Sequence, residues 1–450
     1  MNKICLAIIW IILAPLCLAA VTHPDQTPCK SYGPGGDEHG PRGWHMDSVG
    51  DLENDPPYYP IYWIYKWLFP ITDADCRIKE FFKGQDLCFG QDLPGQQGPV
   101  TRVRLAAVGD MMVKKHLNPQ TARHLFDDVR DQLYLPDISF GNLESPVDPS
   151  RKIGSFPAYN ATPDQVRLYK DAGFDVFSTA NNHVLDQKES GLIATLEFLD
   201  QEKISHVGSS RSIEERDEKF PVLEAKGIRI AFLAYTFSTN GRKLSSGHEF
   251  MVNLIPFNII GEQPDISLIQ KHIRTARDRG AHLVIVSLHW NMEYEFFPPE
   301  RIIVLGHKIA DSGADIILGH HPHVLQPLEK YVPSRSEAGP AVPEVLIAYS
   351  LGNIIPDAYQ LECQTSIILN VEFSRALVHG CEKFWISRVS WTPVWWYGRA
   401  IPGSRDYRII NIEKALSHES DPSAYPFLKK RQLRKLHQAQ NILHDLFEPR

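Results

Sequence analysis

The sequence predicts a layered α/β fold in which a sandwich of mixed β-sheets is flanked by helices. From about Val100 onward, short apolar runs alternate with helical patterns, as is typical of this fold class. Residues that can bind metal also follow several of the apolar runs. The composition, 43% hydrophobic and 22% charged over 450 residues, is that of a globular protein with a sizeable core.

The predicted elements follow one another in a regular order. Strands are predicted at Val103 to Val108, Ile138 to Gly141, Val176 to Thr179, Ile228 to Tyr235, Leu283 to Leu288, Ile316 to Leu318 and Val345 to Tyr349. Helices are predicted at Gln120 to Gln132, Pro163 to Ala172, Glu189 to Glu202, Ile266 to Arg279 and Glu300 to Asp311. Antiparallel strands are predicted at Ser366 to Phe373 and Phe384 to Trp391, followed by a terminal helix from Lys430 to Leu446.

The N-terminus has the pattern of a secretory signal. In "MNKICLAIIWIILAPLCLAAVTHPD", the basic Lys3 precedes an apolar run from Ile4 to about Leu18, and the small residues Ala19 and Ala20 follow. An uncleaved membrane anchor is the alternative reading. The run is shorter than the ~20 residues that span a bilayer comfortably, which favours the signal. We expect an exported protein that is periplasmic, at the cell surface or extracellular, and membrane association stays open.

Four segments are predicted: a signal at 1–20, an extension at 21–100, the main domain at 101–411 and a helical tail at 412–450. The extension is rich in Pro, Gly and aromatic residues and is poorly periodic, with "DPPYYPIYWIYKWLFP" as its densest part. Its aromatic cluster is expected to pack against the main domain, and a surface for glycan, membrane or partner is the alternative.

Cysteine usage fits an oxidising compartment only in part. Five cysteines remain after the signal: Cys29, Cys76, Cys88, Cys363 and Cys381. The odd number leaves one unpaired. Pairing of Cys76 with Cys88 and of Cys363 with Cys381 is favoured, with Cys29 left over.

Five apolar runs end in residues that can bind metal, and the carboxyl ends of strands converge on one edge of an α/β sheet. These residues are Asp110; Asn142 and Glu144; Asn182, His183 and Asp186; His289 and Glu293; and His320, His321 and His323. Each one alone also fits a turn, a cap or a buried hydrogen bond. Their recurrence at five strand ends favours a common site.

The residue types at this edge indicate a divalent metal. Imidazole combined with carboxylate and amide oxygens suits Mn, Fe or Zn, as one or two ions. Two such ions can clamp a phosphoryl or acyl group and generate hydroxide near neutral pH. A histidine outside the ligand set could then protonate a leaving group.

The motifs "GDMM", "GNLESP", "TANNHVLD", "SLHWNMEYE", "GHHPHVLQPLE" and "YSLGN", in this order, carry a resemblance to a known family. They resemble the CapA family associated with poly-γ-glutamate capsule biosynthesis, a branch of the calcineurin-like metallophosphoesterase superfamily. The resemblance runs from about Val103 to Ile355. It implies a metallophosphoesterase-like fold and a divalent metal centre.

The resemblance also implies roles for individual residues. The implied metal ligands are Asp110, Asn142, Glu144, Asn182, His289, His321 and His323. Of these, Glu144, with Asn142 beside it, stands where a bridging aspartate is expected. His183 matches the acid near the leaving group, and Asp186 is expected to orient it. His320, Glu293 and Asn353 are expected to support the ligands or to contact substrate.

Three departures from the family pattern affect what the site can do. Met112 stands where the superfamily has a histidine ligand, Glu144 follows Asn142 and Leu143 where a bridging aspartate is expected, and Asn291 replaces the glycine more usual after His-Trp. A mononuclear site, an altered reaction and a binding protein that kept the pocket are all compatible with these changes.

Two functions of different classes follow. The first is an exported metal-dependent hydrolase acting on a capsule-type polyamide or a phosphoester at the cell envelope. The alternative is a non-catalytic accessory protein that binds envelope polymer or a membrane biosynthetic complex. A purely structural role of the polar residues is the third reading. The formal net charge of −7 gives no general attraction for nucleic acid, and no nucleic-acid partner is expected.

Overall fold

The computed structural model describes residues 59–90, 95–259, 263–334, 341–401 and 404–447. The predicted signal at 1–20 and Cys29 lie outside these ranges. Within the described ranges, no helix is both long and apolar enough to cross a membrane.

In the described ranges, fourteen strands form two mixed sheets. The strands are β1 (Gln96–Met111), β2 (Ile138–Leu143), β3 (Val176–Ser178), β4 (Ser205–Val207), β5 (Val222–Ala225), β6 (Ile228–Thr236), β7 (Leu283–His289), β8 (Ile316–His320), β9 (Leu328–Tyr331), β10 (Val345–Ala348), β11 (Asn353–Ile355), β12 (Thr365–Val378), β13 (Cys381–Ile401) and β14 (Ser404–Asn411). The first sheet has the order β14-β13-β12-β1-β2-β3-β4, with β11 paired to β1, and the second has the order β5-β6-β7-β8-β10-β9. In the first sheet, the neighbouring strands β1, β2, β3 and β4 run parallel. In the second, β6, β7, β8 and β10 do so.

The two sheets pack face to face through apolar side chains. Phe140 on β2 stacks on Phe232 on β6, with ring centroids 5.8 Å apart. Leu105, Val176 and Ile230 belong to the same buried cluster. Because alternate residues of a strand face opposite sides, Ala106 and Val108 of β1 enter a second cluster on the outer face of the first sheet.

Helices cover the outer faces of the sandwich. They are α1 (Tyr59–Leu68), α2 (Cys76–Lys83), α3 (Arg130–Tyr134), α4 (Pro163–Asp171), α5 (Lys188–Gln201), α6 (Ile213–Glu218), α7 (Ser267–Asp278), α8 (Glu300–Asp311), α9 (Leu361–Gln364), α10 (Ile412–Ser417) and α11 (Lys430–Phe447). Tyr169 of α4 contacts Phe177 of the first sheet, and His272 of α7 bonds the hydroxyl of Tyr235 in the second. The predicted class, mixed sheets flanked by helices, is therefore confirmed.

The carboxyl ends of the predicted strands that carry the site lie within a few residues of the observed ends, but β1 begins at Gln96 rather than Val103, and β11, which carries Asn353, was not predicted. Four of the five helices of the main domain were predicted within a residue or two of their bounds. The exception is the helix predicted from Gln120 to Gln132, which is wrong. The carbonyls of Thr121 and Leu125 accept hydrogen bonds from the backbone of Tyr407 and Ile409 in β14, and the bonds within the segment are single turns, such as Leu125 to Ala122 and Val129 to Phe126, in place of a helical ladder. Only the short α3 forms further on.

Two helices, α1 and α2, form in the segment predicted to be poorly periodic. α1 is apolar with a buried lysine: the ammonium of Lys66 lies 2.8 Å from the carboxylate of Glu295. Shortly after α1, the backbone of Ile71 forms an isolated parallel β-bridge with that of Glu295. The described part of this segment thus packs against the main domain, as the sequence predicts for its aromatic cluster.

The predicted disulfides are wrong. Cys88, Cys363 and Cys381 are free. Cys76 is in a disulfide, but its partner is none of these three cysteines. Cys363 and Cys381 flank the extended β12 of 14 residues. At ~3.3 Å per residue, this strand separates the two cysteines by far more than the ~7 Å that a disulfide tolerates.

Candidate metal centre

Three predicted ligands meet at the carboxyl ends of strands. Asp110 lies at the end of β1, Glu144 directly follows β2, and His289 ends β7. One ligand atom from each lies within 4.8 Å of the other two, and all three side chains are buried. We call these three residues the strand-end group.

Strand register places these residues. Asp110 pairs with Asn142 on β2 and with Asn353 on β11, and His289 pairs with His320 on β8. Gly109 permits the approach of β11, because a Cβ at this position would lie 1.9 Å from the carbonyl oxygen of Gly352. Backbone pairing therefore aligns the site residues within each sheet, and the face-to-face packing of the sheets brings both sets to one edge of the sandwich.

A second set of candidate ligands lies on the loops beyond β7 and β8. Glu293, His321 and His323 also place one ligand atom each within 4.8 Å of one another. We call them the loop group. His321 and His323 have φ angles of 96° and 57°, in the left-handed region that costs a non-glycine residue ~1–3 kcal/mol. The two groups adjoin, since Nε2 of His323 lies 3.8 Å from Oε1 of Glu144.

The carboxylates of the site lie in opposite electrostatic environments. Burial and the charge of Asp110 raise the pKa of Glu144 well above its ordinary value. Burial alone would raise the pKa of Asp110 too, but His320 and His323 hold it well below its ordinary value. Among the described residues, neither carboxylate oxygen of Glu144 has a hydrogen-bond partner. A buried carboxylate without a donor is costly, and a cation would satisfy it.

The imidazoles are suited to the same cation. Burial lowers the pKa of His289 and of His321 well below the ordinary value, so that both rings are neutral and offer a lone pair. Burial has the same tendency at His323, but Glu144 and Asp110 outweigh it and raise the pKa of His323 to about 10. Binding of a cation at this ring would therefore release a proton. The donor set of nitrogen, carboxylate and amide oxygen therefore fits a divalent Mn, Fe or Zn ion.

Two asparagines hold the ligands of the strand-end group. The amide nitrogen of Asn142 donates to Oδ1 of Asp110 at 2.8 Å and lies 3.4 Å from Nδ1 of His289. Its Oδ1 is buried without a partner among the described residues. Oδ1 of Asn182 lies 3.1 Å from Nε2 of His289. Both asparagines therefore join the cluster that the sequence predicts for them.

Asn353 orients His323. Its amide nitrogen donates to the carbonyls of His323 and Cys363 at 2.9 and 3.1 Å, which leaves Oδ1 to face Nδ1 of His323 at 3.0 Å. Since this oxygen only accepts, Nδ1 carries the proton and Nε2 is the nitrogen available as a ligand. Contacts of this kind fix the tautomer of metal-binding histidines.

His183 and Asp186 form a buried pair beside the cluster. Nδ1 of His183 lies 2.8 Å from Oδ2 of Asp186, and the backbone N–H of Tyr159 donates to the same oxygen at 2.7 Å. Arg242 pairs with the other carboxylate oxygen at 2.8 Å. The carboxylate is therefore held from three sides, and Nε2 of His183 remains as the nitrogen that can exchange a proton.

His320 is fully buried beside Asp110 and not beside the loop group. Its Nδ1 lies 3.5 Å from Oδ1 of Asp110, which is an ion-pair distance but not a hydrogen bond. The ring packs 6.1 Å from that of Phe140. This placement suits support of Asp110, as the sequence predicts.

The departure at Asn291 has a backbone explanation. Asn291 has a φ of 72°, a conformation that glycine adopts freely and asparagine tolerates better than other residues. Its side chain donates to Oε1 of Gln326 at 2.7 Å. The replacement of glycine by asparagine therefore leaves the loop conformation intact.

Sequence reasoning missed Trp63. Its indole N–H donates to Oε2 of Glu293, which brings α1 to the edge of the loop group. Trp63 lies in the aromatic run of the extension, where periodicity gives no signal for a site. By contrast, a cavity of about 450 Å³ between α2 and α11 has none of the predicted site residues in its lining.

The fold and the cluster together define a layered α/β protein with a buried centre of histidine, carboxylate and amide groups. The family model described as "Bacterial capsule synthesis protein PGA_cap" matches residues 104–358, more than half of the chain. The chain belongs to this family. The predicted relationship to CapA proteins is thereby confirmed.

Curated relatives agree with this assignment. The chain is 30% identical over 257 residues to the PGA biosynthesis protein CapA of Bacillus subtilis, covering 56% of this chain and 62% of that one. It is 30% identical over 269 residues to the capsule biosynthesis protein CapA of Bacillus anthracis, covering 57% and 60%. The chain thus spans less than two thirds of the length of either relative.

Among solved structures, the sulfate thiohydrolase SoxB of Thermus thermophilus, in complex with glycerol, shows 13% sequence identity and a TM-score of 0.31. The match covers 63% of this chain and 38% of that one.

Proposed function

We propose that the protein is an exported, metal-dependent hydrolase of the metallophosphoesterase type that acts in capsule-type polymer biosynthesis at the cell envelope. The observation that carries the proposal is Glu144, whose two carboxylate oxygens are buried beside neutral His289 and receive no hydrogen bond from the described part of the chain. A divalent cation would satisfy both the carboxylate and the lone pair of the ring.

The residues that would hold the metal come from the predicted set. They are Asp110, Glu144, Asn182, His289, His321 and His323, with Asn142 as a ligand or as the holder of Asp110. When bound, a divalent ion in such a site supplies Lewis acidity toward a phosphoryl or acyl oxygen.

His183 is proposed as the general acid. The carboxylate of Asp186 accepts from Nδ1, so the proton delivered to a leaving group sits on Nε2. Asp186 cannot turn away easily, because the backbone of Tyr159 and the guanidinium of Arg242 hold it. The pair therefore holds the ring of His183 in one orientation, and the cationic form of the ring carries the proton on Nε2 that would pass to a leaving group.

The substrate class follows from the family and from the chemistry of the site. The Bacillus relatives are described as PGA and capsule biosynthesis proteins, which supports an envelope polymer or a phosphoester of its biosynthesis as substrate. The signal predicted at 1–20 supports export. Membrane biosynthetic proteins are proposed as partners, and nucleic acid is not.

A second function, non-catalytic binding of polymer or of a membrane biosynthetic complex, has two supports. A relative from Mycobacterium tuberculosis, 22% identical over 208 residues, is described as a probable polyglutamine synthesis accessory protein. The presence of Met112 in place of a histidine ligand also fits a site that binds without turning over.

Elemental analysis of protein purified without chelator tests the proposal. We expect Mn, Fe or Zn at near-stoichiometric or higher content in the wild type and in His183→Ala, and a reduced metal content in a His321→Ala, His323→Ala double variant. Hydrolysis of phosphodiester, phosphomonoester or γ-glutamyl substrates should fall ~10²–10⁴-fold in His183→Ala with the metal retained. No metal in the wild type would contradict the proposal. Bound metal and polymer binding without hydrolysis would favour the accessory function.

A further inference from the structure

Glu293 is placed as the third ligand of the loop group. Its Oε1 lies 3.7 Å from Nε2 of His323, and its Oε2 accepts the indole N–H of Trp63. An indole nitrogen can only donate, so Trp63 commits Oε2 and leaves Oε1 directed at His323. Asn353 meanwhile fixes Nε2 of His323 as the free nitrogen. Oε1 of Glu293 and Nε2 of His323 therefore face each other at ion-pair distance, and an ion that displaces the proton of the ring would be bound by both.

Trp63 is itself held in place by packing. Its ring lies parallel to that of Trp67, with centroids 6.4 Å apart, and to that of Phe156, 6.0 Å apart. The edge of its ring meets Tyr294, the residue after Glu293, at 5.9 Å. Offset and edge contacts of this kind restrict the ring to one orientation.

α1 is in turn anchored to the same loop. Lys66 lies three residues after Trp63, on the same face of the helix, and pairs with Glu295 at 2.8 Å. After the helix, the backbone N–H of Ile71 donates to the carbonyl of Tyr294 at 2.8 Å. The helix therefore reaches this loop through a hydrogen bond, an ion pair and a backbone bridge.

We propose that Glu293 is a metal ligand, which with His321 and His323 forms a second ion position, and that Trp63 is the positioning residue of its carboxylate. The inference rests on the proposed metal centre and deepens it, since it assigns two ions. One carboxylate and two imidazoles suit a divalent transition ion. The position adjoins the strand-end group, as a two-ion centre requires.

Two consequences follow from this assignment. Glu293 makes up for the ligand that Met112 does not provide, so the centre is not limited to one ion. Trp63 lies outside residues 104–358, the part of the chain that the family model matches. The segment before the family domain thus contributes to the centre, and a shortened protein that lacks α1 would have a weakened second position.

The test is the number of ions bound per chain in the full-length protein, measured by elemental analysis after loading with Mn²⁺ and removal of excess. We expect two ions in the wild type and one in Glu293→Gln. The exposed Glu300→Gln makes the same chemical change away from the site and should keep two. The electron paramagnetic resonance spectrum gives a second readout: spin-coupled Mn²⁺ in the wild type and isolated Mn²⁺ in Glu293→Gln.

The positioning residue is tested by Trp63→Phe, which keeps an aromatic ring and removes the donor. We expect the second ion to bind ~10–100-fold more weakly, the range found for changes behind a ligand. Trp67→Phe alters the neighbouring ring of the same stack and should leave both ions bound. Thermal unfolding in chelator shows whether each variant is folded without metal.

The outcomes separate the two proposals. A wild type that binds no ion contradicts the metal centre and this inference with it. One ion in both the wild type and Glu293→Gln leaves the centre standing and overturns the second position. Two ions in both proteins overturn the role of Glu293. A folded Glu293→Gln with one ion fewer than the wild type supports the assignment.

Discussion

The strand-end group and the loop group offer similar ligand atoms but are positioned by different means. Asp110 and His289 stand in strands, so hydrogen bonds of the sheets fix their backbone. His321 and His323 stand after β8 in left-handed conformations, and Glu293 relies on an indole from α1. The comparison shows that half of this centre follows from strand pairing, whereas the other half depends on contacts between distant segments.

This difference predicts where each half is vulnerable. A strand end moves only if the sheet is disturbed. We therefore expect the strand-end group to lose its geometry when a substitution adds atoms where two backbones lie close together. The loop group should fail through single side chains that hold it, such as Lys66 and Asn353. Substitutions at both kinds of position therefore separate the two halves.

The largest effect is expected from Lys66→Met. It removes the cation that pairs with buried Glu295 and leaves the carboxylate uncompensated, at a cost of ~3–5 kcal/mol in the free energy of unfolding. Denaturant unfolding in chelator measures it. A Lys66→Met, Glu295→Met double variant should recover most of the loss, since both charges are then gone. A loss below ~1 kcal/mol, typical of exposed pairs, would show that this contact does not anchor α1.

The next effect, on the strand-end side, is expected from Gly109→Ala. The added Cβ would lie 1.9 Å from the carbonyl oxygen of Gly352, so β1 and β11 must separate. Overpacking of this kind costs ~1–3 kcal/mol, and the shift moves Asp110 next to it. Gly90→Ala is the control, because a Cβ there meets no described residue within 4 Å. Equal stability of both variants would show that the close approach does not constrain this strand end.

The strand-end half of the site could be predicted from the sequence much more fully than the loop half. Asp110 and His289 end apolar runs that the period of hydrophobicity marks as strands, so their convergence could be predicted. The support of Glu293 by Trp63 could not, because it joins residues 230 positions apart through a segment without clear periodicity. Tertiary contacts of this length leave no local pattern.

Two other errors have the same physical origin. In the segment predicted as a helix from Gln120 to Gln132, backbone hydrogen bonds from Tyr407 and Ile409 of β14 occupy the carbonyls of Thr121 and Leu125. The pairing of Cys363 with Cys381 was judged by spacing along the chain, but an extended strand keeps the two apart. In both, local sequence gave a plausible pattern, and the actual geometry depended on the structure around it.

Asn353→Ala sharpens the comparison on the loop side. It removes the oxygen that fixes Nδ1 of His323 as the protonated nitrogen, and we expect metal to bind ~10–100-fold more weakly. Asn370→Ala, on β12 away from the cluster, should leave affinity unchanged. Titration with Mn²⁺ followed by elemental analysis compares the two. Unchanged affinity in Asn353→Ala would mean that the backbone alone orients this histidine.

The smallest effect is expected at Asn291, where two substitutions separate backbone from side chain. Asn291→Gly keeps the φ of 72° accessible but leaves buried Gln326 without its donor, at a cost of ~1 kcal/mol. Asn291→Ala loses the same bond and must also hold a left-handed conformation, which adds ~1–2 kcal/mol. Denaturant unfolding of the two variants measures the difference. If alanine is no worse than glycine, the loop after β7 is free to relax, and the left-handed backbone does not help to position Glu293.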